Sequence, residues 1–185
     1  MRSRTSWTVL AAAVLAACGN GAWRPVPPDE AALAARRATA AAARDALASR
    51  LLGELGTALA TGGPTAAITV CRERAPALAA EVAAEHEVRL GRTSQRLRNP
   101  ANVAPEWAAD HVAGPATEAA FFQGPQQQLG ALYPIRLMPM CVQCHGRGDE
   151  VAEPVRAALR GSYPHDAATD FAPGDLRGWF WVEVP

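Results

Sequence analysis

Five consecutive residues, Cys141-Val142-Gln143-Cys144-His145, constrain this chain more than any other stretch, because they oblige the fold to build around a rigid group that polypeptide alone does not supply. Two thiols three positions apart can each add to one vinyl group of a haem, and the histidine directly after them reaches the iron. With 4 cysteines and 4 histidines in 185 residues, the pattern arises by chance roughly 0.002 times per chain, so accident explains it poorly. Zinc would ask for a second ligand pair at similar spacing, and a redox dithiol would open a helix after a strand in a βαβ unit. The sequence offers neither. The motif predicts one covalently bound haem c, attached through Cys141 and Cys144, with His145 as the proximal iron ligand.

Such attachment takes place outside the cytoplasm, and the N-terminus reads as an export signal. Arg2 and Arg4 precede an apolar run from Trp7 to Ala17, and Leu15-Ala16-Ala17-Cys18 closes it. That run is too short to remain across a bilayer. Small residues leading to a cysteine resemble a bacterial lipobox, which makes residues 1–17 a signal peptide and Cys18 the lipidated first residue of the mature chain. Ordinary cleavage and secretion is the alternative. The expected location is the periplasmic side of a bacterial membrane, held by lipid rather than spanning. Residues 18–28 read as a tether and 29–185 as one domain. The 18 basic residues, all arginine, balance 18 acidic ones and leave no basic footprint for nucleic acid. With Cys18 assigned to lipid and two cysteines to haem, Cys71 has no partner for a disulfide.

Periodicity gives a coarse layout. From Asp29, a candidate N-cap, to about Ala60 the chain is dense in good helix formers. Leu47, Leu51, Leu55 and Leu59 make a core-facing stripe, while the first half of this helix lacks large apolar residues and reads as a solvated stalk. Thr61-Gly62-Gly63-Pro64 stops it. A second helix aligns Ala67, Ile68, Cys71, Ala75, Leu78 and Val82 on one face, and Pro76 should kink or restart it. Val88-Arg89-Leu90 alternates like a strand, residues 105–120 suggest helix, Leu129 to Tyr133 a strand, and residues 150–160 a short helix. The alternation from Leu176 to Val184 marks a closing strand. Long helices followed by interrupted strands predict an α+β fold.

A second axial ligand has to approach from the face opposite His145. Met138 and Met140 sit on the proximal side, just before the attachment motif. His86, His111 and His165 read as surface residues. Cys71 is left as either a ligand, with Arg72 and Arg74 favouring its thiolate, or a packed thiol. Arg92, Arg96 and Arg98 fall on one side of an alternating stretch. A guanidinium suits a haem propionate, so Arg92 or Arg98 is expected to pair one, while for Arg96 and Arg177 a surface ion pair is an equal alternative.

Several motifs agree in order with a known family. They are Ile68-Thr69-Val70-Cys71 with Ala75-Pro76, Gly91-Arg92-Thr93-Ser94 with Leu97-Arg98-Asn99-Pro100-Ala101-Asn102, and Cys141 to Gly146. Tyr163-Pro164-His165-Asp166-Ala167-Ala168-Thr169 and Gly174-Asp175-Leu176-Arg177-Gly178 complete the set. Over roughly residues 30–184 the chain resembles a bacterial family of single-haem c-type domains with a PAS-like fold, first met as a domain of unknown function. The resemblance implies a twisted antiparallel sheet flanked by helices, preceded here by a long N-terminal helix, and a His/Cys axial pair. The family cysteine falls on Cys71, making it the distal ligand. One departure stands out: after Ala-Thr the family usually has Gly and an aromatic, whereas this chain has Asp170-Phe171.

A thiolate ligand lowers the potential, and iron held by both His145 and Cys71 has no open position for substrate, so an enzyme is not expected. Two roles follow. One is one-electron transfer by a low-potential, lipid-anchored cytochrome with a periplasmic redox partner. The other is redox or gas sensing, in which release of Cys71 signals to a separate protein.

Overall fold

The computed structural model describes residues 22–185; the expected signal peptide, Cys18 and the first part of the tether lie outside them. Strands β1 (Arg24–Val26), β2 (Arg89–Thr93), β3 (Ala120–Gln123), β4 (Leu129–Arg136) and β5 (Leu176–Val184) form one antiparallel sheet in the order β1-β3-β4-β5-β2. Helices α1 (Ala34–Thr69) and α2 (Ala75–Glu85) cover one face. Short helices α3 (Ala109–Ala113), α4 (Val142–His145) and α5 (Glu153–Ser162) sit in the connections. The fold is α+β, with a long N-terminal helix and an antiparallel sheet consistent with a PAS-like arrangement.

Alternation along the strands decides which side chains meet the helices. Leu129, Ala131 and Tyr133 of β4 and Phe180, Val182 and Val184 of β5 point to α1 and α2, meeting Ala40, Ala43, Leu47, Leu78 and Val82. The other face is apolar as well. Leu132, Phe122 and Trp179, the last only 1 % exposed, pack under Ala108 and Val112.

The structure corrects the stalk expected for the start of α1. Ala40 and Ala43 are fully buried, because a methyl side chain lets the helix axis approach the sheet closely. Asp29 does not cap it: a 3₁₀ turn at Ala31–Leu33 leads into α1, and neither start has a side-chain cap. The break in α1 falls at Gly63, with φ 70° and ψ −170°, a conformation open to glycine alone. The tether is shorter than expected, since β1 takes Arg24–Val26 into the sheet. Pro25 is tolerated there because β1 is an edge strand. The helix expected over 105–120 shrinks to a 3₁₀ turn at Glu106–Ala108 and α3, stopped by Gly114 and Pro115. The following Ala-Phe-Phe-Gln forms β3 instead.

At Gly178 the backbone of β5 passes against that of the β2 edge. A Cβ there would collide with the Thr93 carbonyl oxygen, which belongs to the backbone and cannot turn aside. Gly178→Ala is therefore expected to cost about 2–3 kcal/mol of stability through overpacking. An unchanged urea midpoint would show that the strands are not in that contact.

Candidate functional site

A cavity of about 320 Å³ lies where α1, the far end of β4, the start of β5 and the segment after β2 converge. Cys71, Cys141 and His145 all line it, together with apolar Leu51, Leu55, Ile135 and Phe180. A smaller apolar cavity of about 70 Å³ adjoins it and is bordered by Cys144 as well as by Cys71, Cys141 and His145. The fold thus gathers three thiols and one imidazole, drawn from positions 70 residues apart, around one space.

Each donor is delivered by a distinct local device. Cys141 closes a 3₁₀ turn over Pro139–Cys141, and Cys144 and His145 belong to α4 immediately after it. Cys71 lies in a π-helical segment, Val70–Arg74, between α1 and α2. Pro76 accounts for the widening: it has no N–H to give to the Arg72 carbonyl, and its ring would press on that oxygen. The backbone takes one extra residue instead, and the Ala75 N–H reaches Val70 O. Such bulges re-aim side chains and gather at functional sites.

The imidazole of His145 is fixed from behind. Its Nδ1 lies 2.8 Å from the Ala168 carbonyl oxygen. A carbonyl only accepts, so Nδ1 carries the proton and Nε2 keeps its lone pair, the form a metal ligand requires. Burial, reinforced by Arg98 and Arg177, pushes the imidazole down to about 3 and keeps it neutral. Burial also raises the Cys141 and Cys144 thiols.

The same Ala168 oxygen accepts from Arg98 Nη2 at 3.2 Å, and Cys144 O accepts from that nitrogen at 2.5 Å. Arg98 Nε donates to Asp166 Oδ2 at 3.0 Å, and the Ala168 N–H donates to Asp166 Oδ1 at 2.8 Å. Arg98 is only 7 % exposed. One buried ion pair therefore ties the segment after β2, the Cys141–His145 turn and the loop behind His145 into a single unit. Asp170, where the expected family pattern has glycine, takes φ 61°, a left-handed conformation that Asp tolerates better than most residues. The loop stays in place, with Asp170 N–H bonded to Gly146 O and Phe171 N–H to His145 O, each at 3.0 Å.

The charge on the cavity wall is one-sided. Arg92, Arg98, Arg136 and Arg177 line it, and no carboxylate does. Arg98 is engaged by Asp166 and Arg136 by Glu118. Arg92 and Arg177 have no acidic partner among the described residues. Burial lowers the affinity of Arg92 for its proton. Burial, then Arg98 and Arg92, push Arg177 down to about 10. Sequence reasoning left Arg177 between a propionate contact and a surface ion pair. Its position on β5, one residue before a buried glycine, was the available signal. Arg96 is exposed, bonded to Thr169 O at 2.8 Å and stacked 3.6 Å over Phe171.

The residues suit a macrocycle better than a bare ion. No group of three or more His, Cys, Asp or Glu converges to hold a metal among the described residues, yet thiols and imidazole border one apolar space. The buried Thr93 hydroxyl on its wall also lacks a hydrogen-bond partner. His111, expected at the surface, instead wedges edge-on against Trp179 and Phe122 beyond the sheet, and burial lowers its proton affinity. His165 is exposed, Met138 lines the cavity, and Met140 is exposed at the rim of the smaller one.

The family model described as Tll0287-like matches residues 27–185. Among solved structures, the crystal structure of the cyanobacterial haem protein Tll0287 superposes with a TM-score of 0.62 at 19 % identity, covering 86 % of this chain and 97 % of that one. No curated protein matches.

Replacing Arg98 with Met keeps much of the bulk but leaves Asp166 buried without its cation. The loss expected in denaturant titration is about 3–5 kcal/mol. Asp166→Asn keeps an acceptor for Arg98 and should cost less, about 1–3 kcal/mol. The reverse order would contradict the clamp described above.

Proposed function

For a chain that belongs to the Tll0287-like family, we propose a c-type cytochrome that carries one haem and moves single electrons. Cys141 and Cys144 would hold the haem covalently, with His145 and Cys71 as its axial ligands. One observation carries this reading: Cys71 and His145, from opposite parts of the chain, border the same cavity as Cys141. The bound haem supplies an iron that cycles between two oxidation states; the rest belongs to the protein.

Ala168 orients His145 with Nε2 directed away from its carbonyl, while burial with Arg98 and Arg177 keeps the ring neutral. The π-helical turn presents the Cys71 sulfur. Apolar Leu51, Leu55 and Phe180 line the cavity and would shield a bound haem from water. Arg92 and Arg177, the two wall cations without acidic partners, are matched in number and charge by the two propionates of one haem. Arg98 is a positioning residue, since its donors already serve Asp166, Cys144 and Ala168. With both axial positions filled there is no place for substrate, which favours a carrier over an enzyme. Export and lipid attachment at Cys18 belong to the same proposal, and put the redox partner outside the cytoplasm.

A second reading, redox or gas sensing, draws on the smaller cavity. Leu52, Leu55, Leu59 and Ile68 surround an apolar space beside Cys71 into which a released thiol could move while a diatomic ligand takes its place.

Optical and EPR spectra of oxidised protein, matured in a host competent for haem attachment, test the core of the reading. A low-spin histidine–thiolate signature is expected, and Cys71→Ser should abolish it while the covalent haem mass remains. A colourless chain, or an unchanged spectrum in Cys71→Ser, would overturn the assignment. Carbon monoxide added to the reduced protein separates the two roles: no spectral change favours the carrier and rapid binding favours the sensor. Arg92→Gln with Arg177→Gln should lower the midpoint potential by about 60 mV, the one-electron equivalent of roughly 1.4 kcal/mol of lost pairing. An unchanged potential would show that neither arginine faces the propionates.

A further inference from the structure

We propose that the end of the sheet where the chain enters the fold rests on the lipid headgroups, so that the haem cavity opens away from the bilayer towards water-borne partners. The proposal depends on the reading of Cys18 as the lipidated residue and adds what that anchor does to the geometry of electron exchange.

Trp23 follows Cys18 by five residues, a tether of at most about 18 Å at roughly 3.3–3.6 Å per residue. Arg24 begins β1, in a row of the sheet that runs Arg24, Gln123, Leu129, Val184. β1 proceeds from that row towards Phe121, so Trp23 lies beyond the row, at the outer end of the sheet. The start of α1 is at the same end, since Arg36 Nε donates to Pro185 O at 2.7 Å. The cavity is at the other end. From Leu129 to Leu137, which lines it, the chain advances about 26 Å at roughly 3.3 Å per residue. Along α1, from Arg36 to Leu52 on the cavity wall, the distance is about 24 Å at ~1.5 Å per residue. Two independent elements thus place the cavity farther from the entry point than the tether is long.

Part of the entry end has the chemistry of an interfacial surface, beside a carboxylate: Trp107 Nε1 donates to Glu183 Oε2 at 3.2 Å, and Glu183 pairs with Arg89. Trp23 stacks on Trp107 with ring centroids 5.2 Å apart, and both indoles are partly exposed. Indole rings favour the headgroup level, where an apolar body and a polar N–H are both accommodated. Residues 119–135 contain no charged side chain, and the exposed turn at Pro125, Gln126 and Gln127 lies beside Trp23 through Gly124. Arg24, exposed at the same edge, suits anionic lipid. An electron carrier held this way exchanges with partners that diffuse in water, and a quinol dissolved in the same bilayer does not reach its haem.

The test uses haem-loaded mature chain beginning at Cys18, coupled through that thiol to a maleimide phospholipid in phosphatidylcholine–phosphatidylglycerol vesicles. Coupling by chemistry makes the result independent of natural lipidation, which the mass of the N-terminal peptide from the native host checks separately. Compared with the same chain capped and free, amide exchange should slow at least threefold over residues 22–27 and 124–128 and stay unchanged over 138–147. A quinol loaded into the vesicles should not speed haem reduction. Protection at 138–147, protection nowhere, or fast reduction by the quinol would overturn the proposal. So would the same protection appearing in free chain as its concentration rises, because a second copy would then occupy the surface.

Discussion

One carbonyl oxygen, that of Ala168, holds the site together. It accepts from His145 Nδ1 on one side and from Arg98 on the other, and Arg98 is in turn locked to Asp166 in a nearly buried pair. A buried ion pair is weak evidence for stability, since desolvating both charges offsets most of their attraction. Its value here is geometric. Arg98 donates to three acceptors in a fixed planar fork, and those acceptors belong to two segments that backbone bonds from Asp170 and Phe171 also hold together. The imidazole inherits its orientation from that arrangement. A lysine in place of Arg98 would bring the charge without the fork.

The other side of the cavity is set by backbone rather than by charge. Pro76 denies Arg72 its helical partner, and the extra residue absorbed at Val70–Arg74 turns Cys71 within a helix that otherwise runs on. Upstream, Gly63 interrupts α1. Cys71 is therefore carried by a short helical piece bounded by a glycine break and a proline-induced bulge, while His145 is clamped by hydrogen bonds on several sides. One side of the cavity is thus set by side-chain hydrogen bonds and the other by the backbone of a helix.

Much of this was legible in the sequence because it was written in local spacing. The attachment motif, the closing strand and the Gly63 stop needed no tertiary information. The elements that were missed were decided by contacts the sequence does not display. Ala40 and Ala43 look solvent-tolerant, and only their close approach to β4 and β5 makes them core. β3, Ala-Phe-Phe-Gln, lacks alternation because both its faces are covered. Arg98 was legible as important, but its role was not, since the partner Asp166 stands 68 residues away. His111 carried no sign of its aromatic surroundings, which come from β3 and β5.

The arginines and the thiol act on the same quantity in opposite directions. An anionic sulfur on the iron favours the oxidised state. Fixed cations on the cavity wall favour the reduced one, and in a water-poor site their effect is weakly screened. Arg92 and Arg177 are half-buried cations without acidic partners among the described residues, a strain that their lowered proton affinities reflect. A dianionic partner between them relieves that strain and leaves the wall close to neutral. With a haem bound as proposed, a low potential would follow from a Cys71 thiolate, and the arginines would add retention and orientation of the group to their smaller, opposite effect on its potential. The chain could then hold the proposed low-potential centre without a cluster of acids around it, and no carboxylate lines the cavity.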